Sequence, residues 1–541
     1  MTASAPATHR ARPASSVTGT GSLLRVSLRA EIRSLAPWMV VPTILTLTSV
    51  LGFELLGRTE QERQALNQTI AGNPALGLIF GPAGDVSTLD GFNAWRGMAI
   101  GGFVVALGAI LVVVKATRAQ EDSGQAEFLA AGVMGRNARL LTALAMCGIM
   151  SLVAGVLSGV ITAFCGVGWE SSLLLGAGFT ATGWLFGALA GVTAQLAGDA
   201  RAASSAAIGA LGVFFILRGF FYAVDVPGWL VWINPLCWVQ ETHPAEGGRW
   251  WPLALVVVLA VVLAGAAFAA QSARDFGQGI FATPPGPDRG RVHTPLGLMV
   301  RLNRSPLVYW ALAFAGLGVV FGYFIRSMRE ILEGNPFMAQ LFAHGASSPE
   351  ALSATFVATI ASLVGIIVSI PGVQTVNRIR TEELEDHAEP VLAGAVTRSR
   401  YFGAGMLVAL GAPVLYVLIA GSVMGLFGMS AGIGLSFADV LLQTLAVLPA
   451  VWAVIGVAAF IVGVVPVARV ASWLGVVGSL ALTLLGPSLK LPNWLLGFSP
   501  FYHVPPVALA DPDLWGLLWV GVIAVGLVVG GFAGFRRRDI P

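Results

Sequence analysis

The chain has 541 residues, of which 56% are hydrophobic and only 11% charged, with a formal net charge of +3. A soluble domain carries about 25% charged residues, so this composition excludes an ordinary soluble protein and marks a polytopic membrane chain. The small net charge gives no reason to expect a nucleic-acid partner. Its distribution is more informative than its size.

In chain order, residues 1–21 are rich in Ala, Ser, Thr and Pro and read as a disordered tail. No short apolar core with a cleavage site follows, so no removable signal peptide is expected. Residues 22–34 place Arg25, Arg29 and Arg33 on one helical stripe beside Leu24, Leu28 and Ile32, the pattern of an interfacial helix. A span needs about 20 mostly apolar residues. The first six are expected near 35–57, 95–117, 140–167, 172–197, 205–224 and 251–272. A Pro-rich linker follows at 281–295, then a shorter amphipathic stretch at 296–304. Six more spans are expected near 306–326, 353–376, 401–427, 437–463, 471–489 and 514–535. The predicted fold is therefore all-α and polytopic, with twelve transmembrane helices in two six-span halves, 22–280 and 296–541.

The halves are copies. Arg118, Glu121, Ala126, Glu127, Ala131, Gly132 and Arg136 match Arg380, Glu383, Ala388, Glu389, Ala393, Gly394 and Arg398 at one offset of 262. Seven identities in nineteen positions compare with roughly one expected by chance. Gly72, Asn73, Pro74 and Phe80 match Gly334, Asn335, Pro336 and Phe342 at the same offset, as folded caps in the outer loops. Pro227, Trp229, Pro235 and Trp250 match Pro492, Trp494, Pro500 and Trp515 after a slip of three. Six spans per copy make the repeat a parallel one. With the N-terminus cytoplasmic, 23 of the 31 basic residues fall on cytoplasmic segments. This asymmetry puts both termini inside the cell membrane.

Four groups of residues are candidates for function. The repeated segment is dense in acid, with Glu121, Asp122 and Glu127 in one copy and Glu382, Glu383, Glu385, Asp386 and Glu389 in the other. It reads either as a solvated helical hairpin or as a docking surface for a basic cytoplasmic partner, and docking is favoured. The second group is the outer segment before the last span of each half, carrying Trp229, Trp232 and Pro235, then Trp494 and Pro500. It reads as a re-entrant or interfacial hairpin, either an aromatic belt or a plug. Phe214, Phe215, Phe220 and Phe221 are candidate lining of an apolar cavity or lipid-facing groups. Glu54, Arg96, Arg218 and Asp439 lie at or near membrane depth, with Arg218 able to pair with Asp225 or Glu54.

Several chemistries lack their residues. Neither Lys115 nor Lys490 follows a glycine, so no phosphate-binding GxxxxGK[ST] loop exists. No HExxH or Cys/His cluster is present, and Cys147, Cys165 and Cys237 read as small apolar residues. No catalytic constellation is evident.

The block RxxExxxxxExxxAGxxxR at 118–136 and 380–398, the GNP loops and PGWLVWINPLCW before span 6 together resemble the permease subunits of type-2 ABC exporters. The form is the fused, double-length one of actinobacterial tetronasin- and polyketide-type resistance systems. The resemblance implies a separately encoded ATPase, two copies of which dock under two coupling helices. ATP and Mg would belong to that partner, with no cofactor in this chain. It implies that Glu121, Glu127, Glu383 and Glu389 contact the ATPase, with Asp122 and Glu385 beside them, while Arg118, Arg136, Arg380 and Arg398 brace the helices. It implies export of hydrophobic small molecules or lipid-like cargo. Gly124/Asp386 and Phe128/Pro390 break the repeat and put the equivalence of the two contacts in question. Three other readings stand beside this one. A proton-coupled drug antiporter would titrate Glu54 or Asp439. A membrane transferase would use Asp85, Asp90 or Glu241. The third is a channel or scaffold.

Overall fold

The computed structural model describes residues 16–56, 59–71, 77, 80–130, 134–223, 226–275, 277–281, 290, 292–334, 349–429, 435–485, 492–509 and 512–539. Among these the secondary structure is helical, and twelve helices are long and apolar enough to cross a membrane. The protein is an all-α polytopic membrane protein. It divides into two compact units, Met1–Gly286 and Pro287–Pro541.

In the first unit the membrane helices are α1 (Thr20–Leu56), α2 (Leu89–Val114), α3 (Ala138–Phe164), α4 (Trp169–Leu196), α5 (Ala200–Ala223) and α6 (Trp251–Ala273). In the second they are α7 (Pro295–Gly334), α8 (Pro349–Leu384), α9 (Arg398–Met429), α10 (Phe437–Val464), α11 (Leu474–Leu485) and α12 (Trp515–Arg537). The Pro at 449 interrupts α10 between Phe437–Leu445 and Leu448–Val464, because a proline removes a helical donor. A 3-10 stretch, Pro466–Trp473, leads into α11.

The second helix of each unit is among its most enclosed, α4 in the first unit being equally so. The membrane windows of α2 and α8 are 72% and 78% buried, while those of α6 and α12 are 22% and 17%. The sequence explains the central position of α2. Thr88 caps its start, accepting from Gly91 N at 3.1 Å, and no proline follows within it. Gly91 lets the preceding loop close over the cap, since a Cβ there would lie 1.8 Å from Asp85 O. Small residues then allow tight packing. A Cβ on Gly155 of α3 or Gly176 of α4 would stand 2.3 Å from the other's carbonyl oxygen, so these backbones meet directly.

Four expectations change. Residues 22–34 are not a separate interfacial helix, because α1 runs unbroken from Thr20 through the span. Residues 296–304 likewise continue into α7. Residues 16–21, expected in the disordered tail, are part of the fold: Gly135 N donates to Thr18 O at 3.0 Å and Asn137 N to Ser16 O at 2.8 Å. Finally, the acidic block is not wholly a connecting segment. A π-helical turn, Lys115–Ala119, carries α2 on to Asp122, and α8 itself extends to Leu384. The Asn-Pro steps of both outer caps lie outside the described residues.

Candidate functional site: a duplicated arginine–glutamate corner

The repeated block forms a corner at the end of each central helix. In the first unit the helix ends at Asp122, the chain turns at Gly124 and a short helix follows at Gln125–Ala130. In the second it ends at Leu384, turns at Asp386 and resumes at Glu389–Leu392. Gly124 and Asp386 both adopt positive φ, +74° and +58°. The substitution therefore preserves the backbone turn, since Asp is among the few non-glycine residues that visit this region. The inequivalence expected from Gly124/Asp386 does not extend to the fold of the corner. After the turn, Ala126 and Ala388 are equally buried, at 0% and 1% exposed.

Glu121 and Glu383 are the hubs, with side chains 5% and 0% exposed. Glu121 accepts from Arg118 at 2.9 Å, from Arg139 at 3.2 Å and from both ends of the Arg274 fork, at 2.9 and 2.7 Å. Glu383 accepts from Arg380 at 2.7 Å and from Arg538 at 2.6 and 2.7 Å. The two carboxylates expected to contact a partner are enclosed here, with their oxygens satisfied inside the unit. An enclosed carboxylate survives only when paired and hydrogen-bonded, and here the arginines supply that.

The arginines of the block also bond to neighbouring helix ends. Arg118 also donates to Gly198 O and, at 3.0 Å, to Gly277 O, joining the ends of α4 and α6. Arg136 donates to the carbonyls of Gln271, Ser272 and Arg274 at 3.0–3.3 Å, and Arg398 donates to Arg538 O at 2.7 Å. Each thus satisfies carbonyls that the last turn of a helix leaves open. Asp122 is also engaged, accepting from Ala200 N at the start of α5 at 2.6 Å. One end of the first unit is therefore a single bonded platform made from the ends of α2 to α6.

Outside the platform lie the groups still free to meet another molecule. Glu127, Glu385 and Glu389 are exposed, and Phe128 is 86% exposed. The counterpart of Phe128, Pro390, is also exposed but sits in the first turn of its helix. Glu382 pairs with Arg378 at 3.2 Å, and His387 lies 3.3 Å from Glu382 and 3.5 Å from Glu385.

Sequence reading missed Arg274 and Arg538, treating them only as part of a positive flank. They are the residues just past α6 and α12, both extended there. It also missed Arg139, whose position in the second copy is held by buried Tyr401.

The outer segments form short helices. Pro227 precedes Gly228–Val231, and Asn234 caps Pro235–Gln240, accepting from Leu236 N at 3.0 Å and donating to Phe214 O at 2.7 Å. Trp232 stacks on Trp251 at 5.0 Å, and Trp229 is 67% exposed. In the second unit Asn493–Leu496 and Pro500–His503 take the same place, with Trp494 exposed. Arg218 is buried, donating to Gln240 Oε1 at 2.8 Å and lying 4.4 Å over the Phe215 ring. Asp225 lies outside the described residues. Phe214 and Phe215 are half-buried and meet Phe186 and Phe103 edge-on at the first core. Phe220 is exposed and Phe221 half-buried. Asp439 closes a capping box with Ser436, and Asp90 accepts from Gly168 N at 2.9 Å.

With this geometry in place, comparison with known proteins is decisive. The family model described as "Multidrug efflux system permease Rv1217c, C-terminal domain" matches residues 32–271 and 292–536. The chain belongs to this permease family. A curated relative, the multidrug efflux system permease protein Rv1217c of Mycobacterium tuberculosis, is 32% identical over 99% of this chain and 98% of its own length. The matched stretches include both corners and both outer segments.

Proposed function

We propose that the chain is the membrane subunit of an ATP-driven exporter of hydrophobic compounds, worked by two copies of a separate ABC ATPase that dock at the two corners. The corners themselves carry this reading. In each, an exposed acidic element sits on a turn fixed to the helix ends by an enclosed carboxylate and its arginines. A force applied to Glu127 and Phe128, or to Glu389 and Pro390, passes through Glu121 or Glu383 to the last membrane helix of its unit. An acidic surface also suits a basic cleft on the partner. ATP and Mg are the partner's; this chain supplies the rigid transmission. The arginine bias of the flanking segments supports cytoplasmic termini and puts the corners on the cytoplasmic side. The name of the Mycobacterium tuberculosis relative supports export and drug-like cargo, and the scarcity of charge within the spans supports an apolar one.

The test is affinity capture of the full chain from mild detergent with an ATP analogue present, followed by mass spectrometry. Wild type is expected to bring down a P-loop ATPase. Glu127→Lys with Glu389→Lys is expected to lose it while melting at the same temperature. Undiminished recovery with the double variant defeats the assignment of the docking surface. Transport that stops on adding an uncoupler at constant ATP defeats the ATP-driven reading. For a proton-coupled mechanism, Asp439 is a poor candidate because it is already committed to capping its helix.

A further inference from the structure

The second unit carries an apolar groove with an arginine at its end, and the residues that open and charge it are replaced at the counterpart positions of the first unit. The groove encloses about 540 Å³ between α9, α12 and the start of α7, lined by Gly403, Met406, Leu407, Leu410, Val528 and Phe532. Arg400 stands at its end, where α9 begins. From Arg400 to Leu410 the helix climbs about 15 Å, half the roughly 30 Å of a bilayer's hydrocarbon and so one leaflet deep.

The mouth has a second cation. Arg536 lies four residues beyond Phe532, hence on the same face of α12, one turn closer to the aqueous end. Both arginines are exposed, and neither forms an ion pair among the described residues. This contrasts with Arg380 and Arg538, which are committed to Glu383 close by.

The repeat supplies an internal control. At the offset of 262, Arg400 corresponds to Ala138 and Gly403 to Leu141; at the offset of 264 that aligns α6 with α12, Arg536 corresponds to Ser272. The first copy thus has a bulky side chain where the second has an opening, and neutral residues where the second has charge. Gly403 is what opens the groove: a Cβ there would be 3.5 Å from the Phe532 ring, in contact but without clash. A longer side chain would occupy the space.

We propose that this groove is a binding site for one anionic phospholipid, with an acyl chain along Gly403 to Leu410 and its phosphate held by Arg400 and Arg536. An apolar slot one leaflet deep, ending at two uncommitted guanidiniums, complements such a lipid in both length and charge. The groove borders the second corner, but its lining includes neither Glu383 nor Arg538. That it faces the cytoplasmic leaflet rests on the orientation proposed above; the binding itself does not.

The full chain is delipidated in detergent and titrated with dioleoylphosphatidylglycerol or dioleoylphosphatidylcholine, with bound lipid counted by native mass spectrometry. Wild type is expected to retain one phosphatidylglycerol per chain and to prefer it over phosphatidylcholine. Arg400→Gln with Arg536→Gln is expected to lower that preference about 30-fold, roughly fivefold for each arginine. Gly403→Leu is expected to lose the lipid altogether, whereas Gly403→Ala keeps it. Equal affinity of wild type for the two lipids overturns the proposal, as does unchanged retention in the Gly403→Leu chain. If Gly403→Leu fails to fold, the arginine pair alone decides, because it leaves the helix packing intact. Since no ATPase or membrane orientation enters the measurement, its failure leaves the transport reading standing, and the reverse also holds.

Discussion

Arg274 and Arg538 occupy the same position in the two units, each the first residue past a 23-residue helix and each closing on the glutamate at the end of the unit's central helix. Removing one partner of such an enclosed pair leaves the other uncompensated, at about 3–5 kcal/mol. Glu383→Ala is therefore expected to lower the melting temperature sharply in detergent, more than Glu121→Ala. Glu121→Ala leaves three arginines, but Asp122 remains 3.4 Å from Arg118. The Leu at 384 supplies no such second carboxylate. Equal melting of wild type and Glu383→Ala would remove the pair from any structural role.

The bracing arginines differ in reach. Arg136 donates to three carbonyls, whereas Arg398 is bonded to one. Arg136→Ala is expected to cost more stability than Arg398→Ala, with the latter near the roughly 1 kcal/mol of a single hydrogen bond. Thermal unfolding of the two single variants gives the order directly.

The corner turn requires positive φ in both copies. Asp386→Gly is expected to stabilise by about 1 kcal/mol, since glycine adopts that conformation without the penalty a side chain brings. Gly124→Val is expected to destabilise by about 1–2 kcal/mol through backbone strain alone, because the space around a Cβ there is open. A neutral Gly124→Val would mean that the turn relaxes.

In the segment before α6, His243 also sits at positive φ, +42°, and lies 3.4 Å from both Glu241 and Glu246. The hydrogen bond to Glu241 holds the imidazole's pKa above its ordinary value, against burial, with Glu246 assisting and Arg249 opposing. The same bond lowers the carboxyl of Glu241, against burial, with Tyr222 assisting. The histidine's contribution is complete below about 6.5 and is lost as pH rises through its raised folded value. The carboxylate's contribution is complete above about 4.3 and is lost as pH falls through its lowered one. The loop is therefore firmest in mildly acidic conditions. Hydrogen exchange of residues 240–250, corrected for intrinsic rate, is expected to quicken between pH 6 and 8.5. His243→Asn, which tolerates the same backbone, is expected to abolish that difference.

Twelve spans and the repetition of the 118–136 block were legible because hydropathy and repetition are local signals. The hub partners were not. Arg274 lies more than 150 residues from Glu121, and the offset relating it to Arg538 is 264 rather than 262. Aligning the copies on the acidic block therefore separates the two arginines. Burial misled in the same way: a carboxylate in an acidic, repeated segment reads as surface, but Glu383 is enclosed because Arg380 is one turn back and Arg538 folds onto it. For Phe214 and Phe215, periodicity gave an apolar helix face but not the Phe186 and Phe103 rings they pack on.

Both corners belong to one polypeptide. In a permease assembled from two identical chains, any substitution appears at both motor contacts at once. Here Arg139 faces Glu121 while Tyr401 stands at the matching place, so the interiors of the two corners have already diverged and each corner can be altered alone. On the function proposed above, a chain altered at a single corner can therefore ask how many engaged motors one transport cycle needs, without mixing subunits or linking genes.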